Sequence, residues 1–116
     1  MPELSLLVVR VSDLERSRSW YERLGFKFSE EQHGDGPVHY AAEEANFVFE
    51  IYPESASNPV SSAVRLDFRV QDVREIVDTH VPSASVVGEP EIRSGRLSAV
   101  LVDPDGIKVE ISEAKT

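Results

Sequence analysis

The chain has 116 residues, 41% of them hydrophobic and 28% charged, with twelve lysines and arginines against twenty-one aspartates and glutamates for a formal net charge of −9. That length supplies one globular domain and excludes two full ones. The charge repels phosphate backbones and anionic bilayers, so neither nucleic acid nor a membrane surface is an expected partner, and the absence of cysteine removes disulfides, thiol catalysis and thiolate metal sites together.

No apolar run approaches the ~18 residues of a membrane span, and Met1-Pro2-Glu3 opens no basic leader, so the sequence predicts a cytoplasmic protein that is neither exported nor anchored. Leu4 to Val11 has the composition of a strand. Ser12, three residues before Glu15, reads as a capping box that opens a helix. Leu14, Ser17, Tyr21 and Leu24 then share one helical face, and Gly25 supplies the stop. Strands over Phe26–Glu30, Val38–Ala42 and Phe47–Tyr52 follow, divided by turns at His33-Gly34-Asp35-Gly36-Pro37 and at residues 43–46. Pro53 to Ser62 reads PESASNPVSS, a polar stretch without periodicity that has the character of a linker.

After it the same order begins again. Val64–Val70 reads as a strand, and a short helix starts at Asp72, with Glu75 as cap partner and Val73, Ile76 and Val77 turned inward. Pro82 ends it at or before Val81. Strands are expected at Ser85–Val87, Leu97–Val102 and Ile107–Ser112, the last two joined by the tight turn Asp103-Pro104-Asp105-Gly106. Gly88 to Gly95 carries the weakest pattern.

The recurrence extends to the residues. Arg10-Val11-Ser12-Asp13-Leu14 is echoed by Arg69-Val70-Gln71-Asp72-Val73, and Phe47-Val48-Phe49-Glu50-Ile51 by Ile107-Lys108-Val109-Glu110-Ile111 at nearly the same offset. Asn46 and Gly106, both tolerant of positive φ, precede the second pair. The chain therefore divides into a first module at 1–52, a linker at 53–62 and a second module at 63–116, each ordered strand, helix, strand, strand, strand.

Alternation along the strands assigns their faces. Leu7, Val9 and Val11, with Phe49, Ile51, Leu66, Phe68, Val109 and Ile111, form an apolar face to pack under the helices. The opposite face carries Leu6, Val8 and Arg10; Val48, Glu50 and Tyr52; Arg65, Asp67 and Arg69; Lys108, Glu110 and Ser112. Such a face is either simply wet or the lining of a ligand pocket.

The segments LLVVRVSDLERSRSWYERLGF (Leu6 to Phe26) and VLVDPDGIKVEI (Val100 to Ile111), together with the duplication, resemble the vicinal oxygen chelate superfamily, which includes glyoxalase I, extradiol dioxygenases and bleomycin-resistance proteins. The resemblance implies an α+β fold of two βαβββ modules forming an eight-stranded, cup-shaped mixed sheet, usually in a homodimer. In its metal-using members the first strand of each module supplies a histidine or another ligand, and the last strand supplies glutamate. The two last-strand positions carry over as Glu50 and Glu110. The first-strand positions fall on Leu6, which donates nothing, and Arg65, which is not deprotonated at working pH. A catalytic metal normally keeps three or four protein ligands, so no classical metal site and no cofactor are expected.

Arg65 suggests a replacement, since a guanidinium between two carboxylates makes charge-assisted bonds to one or both. Glu50, Arg65 and Glu110, with Asp67, Tyr52 and Leu6, are thus the candidate ligand-binding residues, or else a ligand-free ion-pair network. His33, His39 and His80 occupy no family ligand position and read as ordinary surface or turn histidines. Trp20 and Tyr21 read as core or interface aromatics. The expectation is a metal-independent small-molecule binding protein that sequesters an antibiotic or metabolite. The rival is a metal-dependent lyase, isomerase or dioxygenase using Glu50 and Glu110, and a third reading has the cup filled by its own side chains for subunit association.

Overall fold

Both halves of the chain fold in the order strand, helix, strand, strand, strand, and the computed structural model describes residues 1–115. The first compact unit spans Met1–Ser61 and the second begins at Ser62. The eight strands form two four-stranded mixed sheets, one per unit.

In the first unit, β1 (Leu6–Val11) pairs in parallel with β4 (Val48–Pro53), and β3 (His39–Glu43) lies antiparallel between β4 and β2 (Ser29–Glu31). A parallel pair needs a crossover; α1 (Leu14–Glu22) begins it. The helix is capped by Asp13, whose carboxylate accepts from the Arg16 amide at 3.0 Å, and not by Ser12, whose hydroxyl instead accepts from the Arg16 guanidinium at 2.9 Å. Asp13 wins because it stands the right three residues before an amide that lacks a helical partner. Arg18 pairs with Glu15 at 2.7 Å and with Glu22 at 2.8 Å along the exposed side. Gly25, at φ 113°, turns the chain out of the helix.

The apolar face expected from alternation is the core. Val9, Val11, Phe49 and Ile51 are buried, and Tyr21 of α1 stacks edge-on against Phe49 at 5.1 Å. Phe26 and Phe28 join this cluster at 5.0 and 5.9 Å from Phe49. They do so from irregular backbone, so β2 starts at Ser29 and not at Phe26: packing of the two rings takes precedence over pairing there. Beyond β4 the polar stretch is stitched to β1, with the Ser61 hydroxyl accepting from the Arg10 amide at 2.9 Å and the Ser61 amide donating to the Arg10 carbonyl at 3.0 Å.

The second unit repeats the plan. Its sheet has the order β5 (Leu66–Arg69), β8 (Lys108–Ser112), β7 (Arg96–Val102), β6 (Val86–Arg93). Asp72 caps α2 (Val73–Glu75) by accepting from the Glu75 amide at 3.0 Å, as its spacing predicts. The helix continues as a π-helical turn over Ile76–His80, closed by the Val81 amide on the Ile76 carbonyl.

β6 is far longer than the expected Ser85–Val87. Gly88 and Pro90 hide it in the sequence, and register shifts beside Gly88 absorb them. Ser94 and Gly95, at φ 50° and 76°, make the two-residue turn into β7. In the β7–β8 turn Gly106 adopts φ 92°, whereas Asn46 has no positive φ. Among the described residues no helix is long and apolar enough to cross a membrane.

Candidate functional site

The second face of each sheet is the face that alternation marks as charged, and each sheet is described on its own. In the first, β1 and β4 run side by side so that Leu6 lies opposite Val48, Val8 opposite Glu50 and Arg10 opposite Tyr52. Leu6 and Val8 are 51% and 39% exposed, large aliphatic side chains on the same face as the Glu50 carboxylate that Val8 faces. The Arg10 guanidinium lies 4.7 Å from the Tyr52 ring centre and donates to the Pro53 carbonyl at 3.1 Å.

Tyr52 also carries a partner that sequence reasoning did not place. His39 stacks on it with ring centres 4.0 Å apart and planes 9° from parallel. Expected as an ordinary surface or turn histidine, His39 is in fact only 1% exposed. The alternation that points Glu50 to this face does the same for His39, but its contact with Tyr52 depends on how β3 registers against β4. Burial raises the Tyr52 phenol above its ordinary value of 10.0, and the adjacent Glu50 carboxylate pushes it the same way while Arg10 opposes. At neutral pH Tyr52 therefore offers a hydrogen-bond donor, next to the Glu50 acceptor.

In the second sheet Asp67 and Glu110 are direct neighbours in the parallel β5–β8 ladder. Side-by-side carboxylates repel, and each has a separate partner. The Arg65 guanidinium stands 3.5 Å from Glu110. The Ser112 hydroxyl donates to Asp67 at 2.9 Å while accepting from Arg69 at 3.1 Å. Ser112 and Arg69 were on the expected charged face but not among the candidate residues. Their role becomes visible only once the register sets Arg69 opposite Ser112.

The metal set implied by the resemblance does not fit these residues. Leu6 presents a hydrocarbon where a ligand is needed, and Arg65 places a permanent cation against Glu110, one of the two carboxylates that would bind the ion.

The profile of the Glyoxalase/Bleomycin resistance protein/Dioxygenase superfamily matches residues 4–111. The chain belongs to that superfamily. Solved structures with similar folds include TnmS3, an antibiotic binding protein from Streptomyces sp. CB03234, at 24% identity and TM-score 0.75 over 99% of this chain and 98% of that one. TioX from Micromonospora sp. ML1 is similar at 18% identity and TM-score 0.70, covering 97% and 98% of the two chains. A glyoxalase/bleomycin resistance protein from Albidiferax ferrireducens aligns at 21% identity and TM-score 0.72 over 96% and 98%. No curated protein matches the chain. Superfamily membership accounts for the duplicated modules, while the departures at Leu6 and Arg65 belong to this chain.

Proposed function

We propose that this member of the superfamily is a small-molecule binding protein that sequesters its ligand on the uncovered sheet faces without the superfamily's paired metal ligands. The carrying observation is the surface of the first sheet, where exposed Val8 lies opposite the Glu50 carboxylate, with exposed Leu6 two residues before Val8 and the Tyr52 phenol two residues after Glu50 on the same face. Apolar area with a few convergent polar groups is the usual make-up of a small-molecule site. The ligand class that fits is a molecule with a hydrophobic ring or chain and a cationic or hydrogen-bond-donating group, and the net charge of −9 favours its encounter. That a similar fold, TnmS3, is an antibiotic binding protein supports this reading.

Metal-dependent catalysis through Glu50 and Glu110 is disfavoured by the Arg65–Glu110 pair and by the missing donor at Leu6. A homodimer completes the proposal, because exposed Leu4, Val87 and Ile92 offer apolar surface for association. Light scattering should then give twice 12.9 kDa.

The test of binding is a thermal-shift screen of chelator-treated protein against hydrophobic amines and neutral aromatic compounds. A ligand at 100 times its Kd adds about 2.7 kcal/mol of stability, and the shift should shrink in Tyr52→Ala and Glu50→Gln. Silence across a chemically diverse panel would overturn the proposal in favour of a self-filled module serving subunit association.

A further inference from the structure

The first sheet carries a donor cluster that the binding role does not use. Glu31 closes β2 and His39 opens β3, directly opposite one another in the antiparallel ladder, so their side chains project to the same side. The turn between them brings back His33, and one ligand atom from each of Glu31, His33 and His39 lies within 4.8 Å of the other two. His39 Nε2 is 3.3 Å and His33 Nε2 3.7 Å from the same Glu31 oxygen. Ligand atoms at about 2.0–2.2 Å around a tetrahedral zinc-sized ion stand about 3.4 Å apart. Both separations are close to that edge.

The deciding observation is the setting of His39. Its Nδ1 lies 3.2 Å from the Pro37 carbonyl, which only accepts, so Nδ1 carries the proton and donates. In a neutral ring the lone pair is then on Nε2, which is buried and has no hydrogen-bond partner among the described residues. That lone pair faces Glu31, and a Glu50 oxygen lies 4.0 Å away. A buried acceptor among carboxylates is costly unless a proton or a metal ion stands between them. An Nδ1–H bond to a backbone carbonyl is also the arrangement that orients a metal-ligating imidazole, and the Tyr52 stack fixes the ring plane.

We propose that Glu31, His33 and His39 bind a divalent first-row transition ion of the zinc, cobalt or nickel class. Two imidazoles and a carboxylate without thiolate suit such borderline ions. Three protein ligands leave a fourth position, and Glu50 stands near enough to fill it or to accept a hydrogen bond from a water there. The site takes no donor from β1 and lies wholly within the first unit; it shares Glu50 and the Tyr52 stack with the ligand reading above, while Glu31, His33 and His39 belong to it alone.

The test is titration of tag-free, chelator-stripped protein with Co²⁺, read by visible absorption, then displacement by Zn²⁺. One equivalent should bind with the intense bands of a four-coordinate site. His33→Ala and Glu31→Gln should weaken binding about tenfold or more, as should His39→Gln, while His80→Ala, in the second unit, leaves it unchanged. His33 is 73% exposed, so its replacement spares the fold and decides the matter even if the buried His39 variant misfolds. Absence of a stoichiometric ion at micromolar concentration, or an affinity indifferent to His33→Ala and Glu31→Gln, would overturn the proposal.

Discussion

Arg65, which precedes β5 and so falls outside the strand expected at Val64–Val70, stands 3.5 Å from Glu110 of β8, with the arginine side chain 61% and the glutamate 20% exposed. A pair this open to water is screened and adds little to stability. Arg65→Ala should therefore change the free energy of unfolding by no more than about 1 kcal/mol in urea titration. A loss well beyond that would make the pair structural and remove Arg65 from the ligand-binding candidates.

Asp103 does more for the fold than its place in a surface turn suggests. It is 3% exposed, and one carboxylate oxygen accepts from the Asp105 amide at 2.9 Å and the Ile107 amide at 2.8 Å. Asp103→Ala strands both amides and should cost about 2–4 kcal/mol. Asp103→Asn keeps an acceptor and should cost less. Denaturant midpoints of the two variants check the order, and equal losses would count against it.

Phe49 is the centre of the first unit's aromatic cluster, fully buried with Tyr21, Phe26 and Phe28 around it. Phe49→Ala should cost about 3–5 kcal/mol in thermal or urea unfolding, and Phe49→Leu distinctly less. A cost under about 1 kcal/mol for the alanine variant would mean the cluster is looser than its burial implies.

Acid sensitivity should pass in part through Glu15. The Tyr40 hydroxyl donates to its carboxylate and Arg18 pairs with it, holding Glu15 below the ordinary 4.5. A carboxyl with a lowered native value stabilises above its unfolded value, and that contribution is lost as pH falls from 4.5 through the native one. Tyr40→Phe removes the larger cause, so its deficit relative to the parent should be full at neutral pH and narrow in acid. Urea midpoints between about pH 3 and pH 7 measure this; a gap independent of pH would sink the assignment. The same bond raises Tyr40 above 10.0, so its own contribution is present below 10.0 and fades as pH rises through the raised value.

Much of the architecture is legible in the residues because it rests on local patterns. The echo of RVSDL in RVQDV, the alternation through Phe49 and Ile51 and through Val109 and Ile111, and Asp72 with Glu75 each state their element without reference to anything distant. Where those patterns are absent the reading fails. The strand expected at Phe26–Glu30 is shifted to Ser29–Glu31, whose polar residues are held by pairing with β3 while Phe26 and Phe28 serve the core. Val86–Arg93 contains a glycine and a proline that sequence logic assigns to loops, and bulges in the ladder accommodate them.

The same division governs the site. Alternation suffices to put Glu50, Tyr52, Asp67 and Glu110 on charged faces, since side-chain direction follows from counting along one strand. A hairpin centred near Asp35 was the available hint that Glu31 and His39 would meet, but a slip of one residue in pairing would have turned one of them to the other side. Register between strands is a property of the packed sheet, and it alone buries His39 against Tyr52 and opposite Glu31. Composition, charge and periodicity are carried by the chain itself; which donors face one another is decided only when the hydrogen-bonded ladders close.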